Sequence, residues 1–273
     1  MHITAMFSAV IVAFAAIALS ARAADPTADV LARYEPRTYT DASGKPLLYR
    51  LARPADFDKN KSYPTLLSLH GAGGRGADNL GQIRDASPNT ATKFALPEYQ
   101  EKFPCFIVAP QCPNDRKWVD VDWSAASHTM PAKPTDEMRM VVEVLEQLRK
   151  EFPIDGRRIY VTGLSMGGYG TWDVIARHPH YFAAAVPICG GGDEATAARI
   201  AAIPIWCFHG GKDGVVKPQR SRNMIEALKK AGAEPKYTEY PNEGHGAWVP
   251  AYNEAELLPW LFSQKLKQDP KLD

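Results

Sequence analysis

Short apolar runs recur along the chain, and longer segments with a helical spacing of apolar residues separate them. Five runs are nearly continuous in apolar residues, and a sixth run precedes the last helical segment. Strands that are apolar on both faces are typical of a parallel sheet packed between helices. The predicted strands are residues 63–70, 103–110, 158–162, 182–188, 203–209 and 236–240. Residues 37–41 and 47–53 flank the turn-forming segment Ala-Ser-Gly-Lys and predict an antiparallel hairpin at the front edge.

The intervening segments predict helices. The clearest is residues 136–151, where an apolar stripe recurs every three or four positions and Thr135 stands where an N-cap is expected. Further helices are predicted over residues 169–177, 219–231 and 252–267. Gly232 is expected to end the helix over residues 219–231. Strands alternating with helices indicate an α/β fold with a mostly parallel, doubly wound sheet and helices on both faces. We expect a single domain over residues 24–273.

The N-terminus carries a pattern of a different kind. Residues 6–19 are almost wholly apolar, too short for a bilayer-spanning helix, and are followed by the small-x-small sequence Ala21-Arg22-Ala23. This pattern predicts a secretory signal peptide over residues 1–23. The mature protein is then expected to be secreted or periplasmic, with no stable membrane insertion after cleavage.

Composition narrows the possible partners. The 273 residues include 32 Lys and Arg against 31 Asp and Glu, for a formal charge of +1. The chain therefore has no excess of positive charge to hold a nucleic acid, and none is expected as a partner. The four cysteines are Cys105, Cys112, Cys189 and Cys207; their spacing predicts no structural disulfide and no metal site.

The strongest local signal is Gly163-Leu164-Ser165-Met166-Gly167, which lies between a predicted strand and a predicted helix. A nucleophile elbow has this context, because a strand turns sharply into a helix and leaves the serine exposed. Glycines on either side remove side chains that would collide at such a turn. The pattern predicts Ser165 as a nucleophile.

A serine hydroxyl needs a base and an acid that orients the base. Asp213 follows the apolar strand 203–209, and His245 lies between the last strand and the last helix. The order serine, acid, histidine is that of the nucleophile-elbow hydrolases. Asp193 and Glu243 are alternative acids, but Asp193 follows the preceding strand and Glu243 is too close to His245 in sequence.

A glycine-rich loop, residues 70–76, follows the first apolar strand. Its backbone N–H groups, together with that of Met166, can stabilise an oxyanion beside the nucleophile. Ala72 is the predicted donor and Gly73 the second choice. A phosphate-binding loop is the alternative, but the nucleotide-binding glycine spacings and the Gly-Lys-Ser/Thr ending are missing. His70 and His209, at strand ends, are interpreted as structural hydrogen-bonding residues.

Four motifs carry a family resemblance: residues 69–76 (LHGAGGRG), 109–112 (APQC), 163–172 (GLSMGGYGTW) and 244–248 (GHGAW). With them the chain resembles the α/β-hydrolase superfamily. More narrowly, it is similar to secreted esterases that include feruloyl and acetyl-xylan esterases, polyhydroxybutyrate-depolymerase-like enzymes and prolyl-oligopeptidase-family hydrolases. The resemblance implies hydrolysis of carboxylic esters through an acyl-enzyme, without a cofactor.

The lengths and aromatic residues of the loops indicate the kind of ester that the site accepts. Only residues 189–202 separate the strand after the predicted nucleophile helix from the next strand, so no large lid domain is expected. An open cleft suits a bulky ester such as a feruloyl or acetyl group on a plant polysaccharide. Trp248, Trp118 and Trp123 are predicted substrate-binding residues because an indole stacks on an aromatic acyl group or a sugar. A peptidase, an acyltransferase and a non-catalytic carbohydrate- or protein-binding relative remain alternatives.

Overall fold

The structure, a computed structural model, describes residues 26–85 and 89–270. The predicted signal peptide lies outside the described residues. Eight strands form one sheet in the order β1-β2-β4-β3-β5-β6-β7-β8. Their bounds are Tyr34–Thr40 (β1), Pro46–Ala52 (β2), Tyr63–Leu69 (β3), Phe106–Pro110 (β4), Ile154–Leu164 (β5), Ala184–Ile188 (β6), Trp206–Gly210 (β7) and Lys236–Tyr240 (β8).

Of these eight strands, β2 alone runs opposite to the others. The hairpin β1–β2 is antiparallel, and β2 pairs antiparallel with β4, whereas every neighbouring pair from β4 to β8 is parallel. The mostly parallel sheet and the edge hairpin predicted from the apolar pattern are therefore confirmed. The carboxyl ends of β3 to β8 meet at one edge of the sheet, where ligands of open α/β sheets bind.

Helices cover both faces of the sheet. Their bounds are Pro26–Leu31 (α1), Gly81–Arg84 (α2), Thr90–Phe94 (α3), Pro97–Gln100 (α4), Asp136–Glu151 (α5), Met166–Arg177 (α6), Ala197–Ile200 (α7), Gln219–Lys230 (α8), Trp248–Asn253 (α9) and Leu257–Ser263 (α10). The core on one face includes side chains of α5, α6 and α8, such as Leu145, Trp172 and Met224. The other core includes Phe94 of α3 and Leu258 of α10.

Local signals explain where the longer helices begin and end. The Thr135 hydroxyl accepts a hydrogen bond from the Met138 backbone N–H at 3.1 Å, which is the predicted N-cap of α5. After α8, Gly232 adopts a positive φ of 84°, a conformation in which a side chain would be strained. Both predicted boundaries hold to within a residue.

The predicted helix over residues 252–267 is wrong. The structure has two short helices instead, α9 and α10, separated by residues 254–256. Pro259 is the reason, because in a continuous helix its ring would clash with the carbonyl of Ala255. Restarting the helix at Leu257 places Pro259 in a first turn, where a missing N–H has no helical partner to lose.

The connection between β6 and β7 is short. That connection holds only a 3₁₀ turn, Glu194–Thr196, and the four-residue α7, so no large lid is inserted there. The four cysteines are buried and free. No helix within residues 26–85 and 89–270 combines the length and apolarity that a bilayer crossing requires.

Candidate active site

Ser165 occupies the sharp corner between β5 and α6. Its backbone has φ 54° and ψ −117°, a conformation that non-glycine residues rarely adopt. The Ser165 N–H donates to the Ile188 carbonyl at 2.9 Å, which ties the corner to the end of β6. A strained serine held by its surroundings is typical of a nucleophile elbow.

The two flanking glycines allow the corner to close. A Cβ on Gly163 would lie 2.3 Å from the Gly167 carbonyl oxygen, and a Cβ on Gly167 would lie 2.0 Å from the Leu69 carbonyl oxygen. Both distances are far inside contact range, and the atoms met are backbone atoms that cannot move aside. The predicted reason for these glycines is therefore confirmed.

Ser165, His245 and Asp213 form a continuous hydrogen-bonded chain. The Ser165 Oγ lies 2.9 Å from His245 Nε2, and His245 Nδ1 lies 2.7 Å from Asp213 Oδ2. Because the carboxylate only accepts, Nδ1 carries the proton and Nε2 is free to accept the proton of Ser165. The sequence positions span 80 residues, and the fold brings them together at the carboxyl edge of the sheet.

The Asp213 carboxylate is surrounded by donors. Its Oδ1 accepts the backbone N–H groups of Val215 at 2.8 Å and Val216 at 3.0 Å. Its Oδ2 lies 3.2 Å from His209 Nε2 in addition to His245. Burial opposes the charge of Asp213, but the hydrogen bonds from His209 and His245 outweigh burial and lower its pKa below the ordinary value. The group is therefore ionised at neutral pH.

The alternative acids are placed elsewhere. The Asp193 carboxylate accepts the backbone N–H groups of Met130 and Ala195, so it orders two loops and has no bond to His245. Glu243 is exposed, and its backbone carbonyl accepts the Lys212 N–H. Of the three acids considered from the sequence, the structure joins only Asp213 to His245.

The glycine-rich loop lies beside Ser165. A Cβ on Gly71 would lie 2.7 Å from Leu164 Cδ1, which places the loop against the end of the nucleophile strand. Ala72 begins a 3₁₀ turn, Ala72–Gly74, and Met166 begins α6. The first N–H groups of helices have no partner within the helix, so those of Ala72 and Met166 are free to bind an oxyanion.

His70 orients the loop. Its Nε2 accepts the Cys112 backbone N–H at 3.0 Å, and its Nδ1–H donates to the Gly71 carbonyl at 2.5 Å. The carbonyl and N–H of a trans peptide point in opposite directions, so fixing the Gly71 carbonyl turns the Ala72 N–H away from His70. Burial lowers the pKa of His70 to about 4, so the ring is neutral at pH 7.

The three tryptophans predicted to bind substrate are placed differently. Trp118 is fully buried, and its Nε1–H donates to the His70 carbonyl at 3.1 Å, so that prediction is wrong and the residue is part of the core. Trp123 is partly buried beneath Lys117, whose ammonium lies 4.8 Å from the ring centroid. Trp248 stands edge-on to His245, with ring centroids 5.5 Å apart, and remains the predicted wall of the site.

Two features escaped the sequence reasoning. Besides its structural hydrogen bonds, His209 contacts the carboxylate of Asp213, and the i, i+4 spacing at a strand end is the sequence signal for that contact. Val215 and Val249 are the large apolar side chains that stand out as exposed among the described residues, at 61% and 41%. Val215 is two residues from Asp213 in sequence, and Val249 is four residues from His245.

Cys189, His209 and Asp213 also form a cluster of possible metal ligands beside the site. Side-chain atoms of Cys189, His209 and Asp213 lie within 4.8 Å of one another, a donor set that could hold a metal ion. His209 Nε2 already carries a proton that faces Asp213 and the Val216 carbonyl. Burial and the nearby Asp213 charge raise the pKa of the Cys189 thiol, which disfavours the thiolate that binds metals. We interpret the cluster as hydrogen-bonding rather than metal-binding.

A mostly parallel sheet with a strained serine at a strand-to-helix corner defines an α/β-hydrolase fold. Within it, the chain belongs to the dienelactone hydrolase family, whose sequence pattern matches residues 115–256, just over half of its length. The resemblance to the α/β-hydrolase superfamily is thereby confirmed.

Three relatives illustrate the likeness. A solved structure described as a thermostable esterase superposes with a TM-score of 0.78 at 40% identity, covering 86% of this chain and 64% of that one. A ferulic acid esterase superposes with a TM-score of 0.62 at 19% identity, covering 84% of this chain and 98% of its own, a likeness of fold. A bifunctional acetylxylan esterase/xylanase of Neocallimastix patriciarum is 28% identical over 119 residues.

The match to the last protein covers 42% of this chain and 18% of that protein. The chain therefore spans less than two thirds of the thermostable esterase and less than a fifth of the bifunctional protein.

Proposed function

We propose that the protein is a serine carboxylesterase that works through a covalent acyl-enzyme. The observation that carries the proposal is the hydrogen-bonded chain from Ser165 through His245 to the buried, ionised Asp213. A general base within hydrogen-bonding reach of a hydroxyl, itself oriented by a carboxylate, is the arrangement that activates a serine. Membership of a hydrolase family supports the same activity.

The reaction follows from the geometry. His245 Nε2 takes the Ser165 proton while Oγ bonds to the ester carbonyl carbon, and the carbonyl oxygen becomes an oxyanion. The N–H groups of Ala72 and Met166 stabilise that charge, and Asp213 stabilises the imidazolium. Collapse breaks the bond to the alcohol, which leaves with the proton from His245. Water then attacks the acyl-enzyme by the same steps and releases the acid.

The surroundings favour an ester with a flat or apolar part. Trp248 beside His245 offers an indole, and Val215 and Val249 expose apolar side chains close in sequence to Asp213 and His245. Ser165 is partly exposed, and the short β6–β7 connection leaves the cleft open to a bulky alcohol. These features support feruloyl or acetyl esters on plant polysaccharide, in line with the two relatives named for acetylxylan and ferulic acid esters.

The test is turnover by Ser165→Ala on p-nitrophenyl esters of graded chain length, methyl ferulate and acetylated xylan. We expect kcat to fall by at least roughly 10³-fold on every substrate that the wild type hydrolyses. Unchanged hydrolysis by the variant would remove Ser165 as the nucleophile.

Two controls accompany this test. Labelling by an organophosphonate probe should occur in the wild type and disappear in Ser165→Ala, while thermal unfolding of the two proteins stays alike. A matched variant, Ser263→Ala, removes an exposed hydroxyl on α10 and should leave both turnover and labelling unchanged. Hydrolysis of a peptide panel in preference to esters would favour a peptidase instead.

Export is part of the proposal. The predicted signal peptide implies that the working enzyme begins near Ala24, outside the cytoplasm, where plant polysaccharide is accessible. Mass measurement of protein expressed in a host with a secretory pathway should show loss of residues 1–23. Full-length protein retained inside the cell would contradict this part alone.

A further inference from the structure

His209 is completely buried at the end of β7, and both of its ring nitrogens are engaged. On one side, Nδ1 lies 2.7 Å from the Ser221 hydroxyl of α8. On the other, Nε2 lies 3.0 Å from the Val216 carbonyl and 3.2 Å from Asp213 Oδ2. The ring therefore bridges α8 and the loop that carries the proposed triad acid.

The partners determine where the proton lies. The Val216 carbonyl and the ionised Asp213 carboxylate only accept, so Nε2 carries the proton and shares it between them. The Ser221 hydroxyl then donates to Nδ1, since its other acceptor, the Gly190 carbonyl, is farther away at 3.4 Å. His209 is thus held with its proton on Nε2 and with Nδ1 as an acceptor.

The same oxygen serves both histidines. Asp213 Oδ2 accepts from His245 Nδ1 at 2.7 Å and also lies 3.2 Å from His209 Nε2, while Oδ1 accepts two backbone N–H groups. Rotation of the carboxylate away from His245 would break the bond to His209 as well. From this geometry we propose that His209 is a positioning residue of the proposed esterase: its Nε2–H holds the Asp213 carboxylate in line with His245 and limits its basicity.

Removing the Nε2–H of His209 should make the Asp213 carboxylate more basic. A carboxylate with one hydrogen bond fewer attracts a proton and an imidazolium more strongly, which moves the acid limb of the kcat/KM profile to higher pH. The charged and titratable groups that face Asp213 are His245, His209, the Cys189 thiol and Tyr169, and Glu239 lies beyond His209. None of the other groups gains or loses a bond to Asp213 when His209 is replaced.

The experiment compares His209→Met with His209→Gln. Methionine has a similar length and no donor, whereas the glutamine amide places an N–H near the position of Nε2. We expect His209→Met to lose roughly tenfold to hundredfold in kcat with KM within about twofold. The acid limb of its kcat/KM profile should move to higher pH by roughly half a unit to one unit. His209→Gln should recover most of kcat and the wild-type acid limb.

Active-site titration with the organophosphonate probe corrects each rate for the folded fraction. Cys207→Ala serves as the matched control, because it removes a neighbouring buried group that donates to Ser221 and leaves Asp213 untouched. It should keep kcat within about threefold and the acid limb in place. Equal losses in the methionine and glutamine variants with an unmoved acid limb, or a wild-type profile in His209→Met, would overturn the proposal.

Two measurements keep the inference testable if His209→Met does not fold. Nitrogen-edited NMR of the wild type should show His209 protonated on Nε2 only, and the Nδ1–H tautomer would overturn the proposal. The proposal rests on the esterase activity, so Ser165→Ala is assayed in parallel. Full activity of Ser165→Ala would refute the proposed function, whereas an inactive Ser165→Ala beside a wild-type His209→Met would refute only the role of His209.

Discussion

The dipeptide His-Gly occurs at the carboxyl ends of both β3 and β7: His70-Gly71 directly follows β3, and His209-Gly210 ends β7. Both histidines are buried. His70 donates from Nδ1 to the Gly71 carbonyl and accepts at Nε2 from the Cys112 N–H. His209 does the reverse, donating from Nε2 and accepting at Nδ1 from a serine hydroxyl. One imidazole therefore fixes a peptide group, and the other contacts a carboxylate.

The difference follows from what each loop presents. The loop after β3 presents a backbone N–H, that of Ala72, and its orientation depends on the neighbouring carbonyl that His70 holds. The loop after β7 presents the Asp213 side chain, so its histidine reaches past the backbone to the charge. A histidine at a strand end thus holds the following loop through hydrogen bonds from both ring nitrogens, and its hydrogen-bond partners determine which nitrogen carries the proton. The two loops predict distinct responses to substitution.

The largest expected effect is in the loop after β3. Ala72→Pro removes the proposed oxyanion donor, and the extended ψ of Gly71 at −179° suits a residue that precedes proline. Position 72 also begins the 3₁₀ turn, where proline is tolerated. We expect kcat to fall roughly 10²–10³-fold at little change in KM, measured on the best ester of the panel.

Ala72→Gly is the matched control, since it keeps the N–H and removes only the methyl group. Its kcat should stay within about threefold of the wild type. If Ala72→Pro retained the rate of Ala72→Gly, the donor would be another group, and the Gly73 N–H would be the next to test. The loop after β7 should be unaffected by either change, so the acid limb of the pH profile should stay in place.

Much of this site was predictable from the sequence because its signals are local. The strand before Ser165, the glycines around Ser165 and the following helix are contiguous in sequence. His70 and Asp213 each lie in a glycine-containing segment that follows a strand. The hydrophobic pattern also predicted the sheet, since buried parallel strands are recognisable one at a time. What linked Ser165, Asp213 and His245 was their chain order, a property of the fold class.

The errors concern interactions between distant segments. Trp118 looked like a loop residue near the site, but its indole N–H bonds to the His70 carbonyl and its ring is inside the core. Periodicity over residues 252–267 predicted a single helix because apolar spacing alone does not register the clash imposed by Pro259. The bond from His209 to Asp213 depends on how α8 and the acid loop pack, which no local pattern specifies.

The second prediction separates the histidines by pH. The pKa of His70 is lowered to about 4 by burial, whereas in the unfolded chain it is about 6.5. As the pH falls below about 6.5, His70 becomes protonated in the unfolded chain but stays unprotonated in the folded protein. The free energy of unfolding therefore decreases until about pH 4. We expect His70 to account for about 2 kcal/mol of this loss between pH 7 and pH 4.5, measured by urea unfolding.

His70→Asn tests the assignment, because the amide retains a donor near Nδ1 and does not titrate. Its free energy of unfolding should depend less on pH across this window than that of the wild type. His128, whose pKa is also lowered by burial and by Arg220, contributes to both proteins and cancels in the difference. Equal slopes in the two proteins would show that His70 is charged or accessible in the folded state.

The smallest effect is expected at Ser221, which holds His209 through a side chain, whereas backbone groups hold His70. Ser221→Ala leaves the buried Nδ1 of His209 without a donor, at a cost of about 1–2 kcal/mol in the free energy of unfolding. The Val216 carbonyl and Asp213 still select the Nε2–H tautomer, so kcat should change by less than about threefold. Urea unfolding and steady-state kinetics of Ser221→Ala against the exposed-site variant Ser263→Ala provide the measurement. A large loss of kcat without loss of stability would mean that the serine, rather than the carboxylate and the carbonyl, fixes the tautomer of His209.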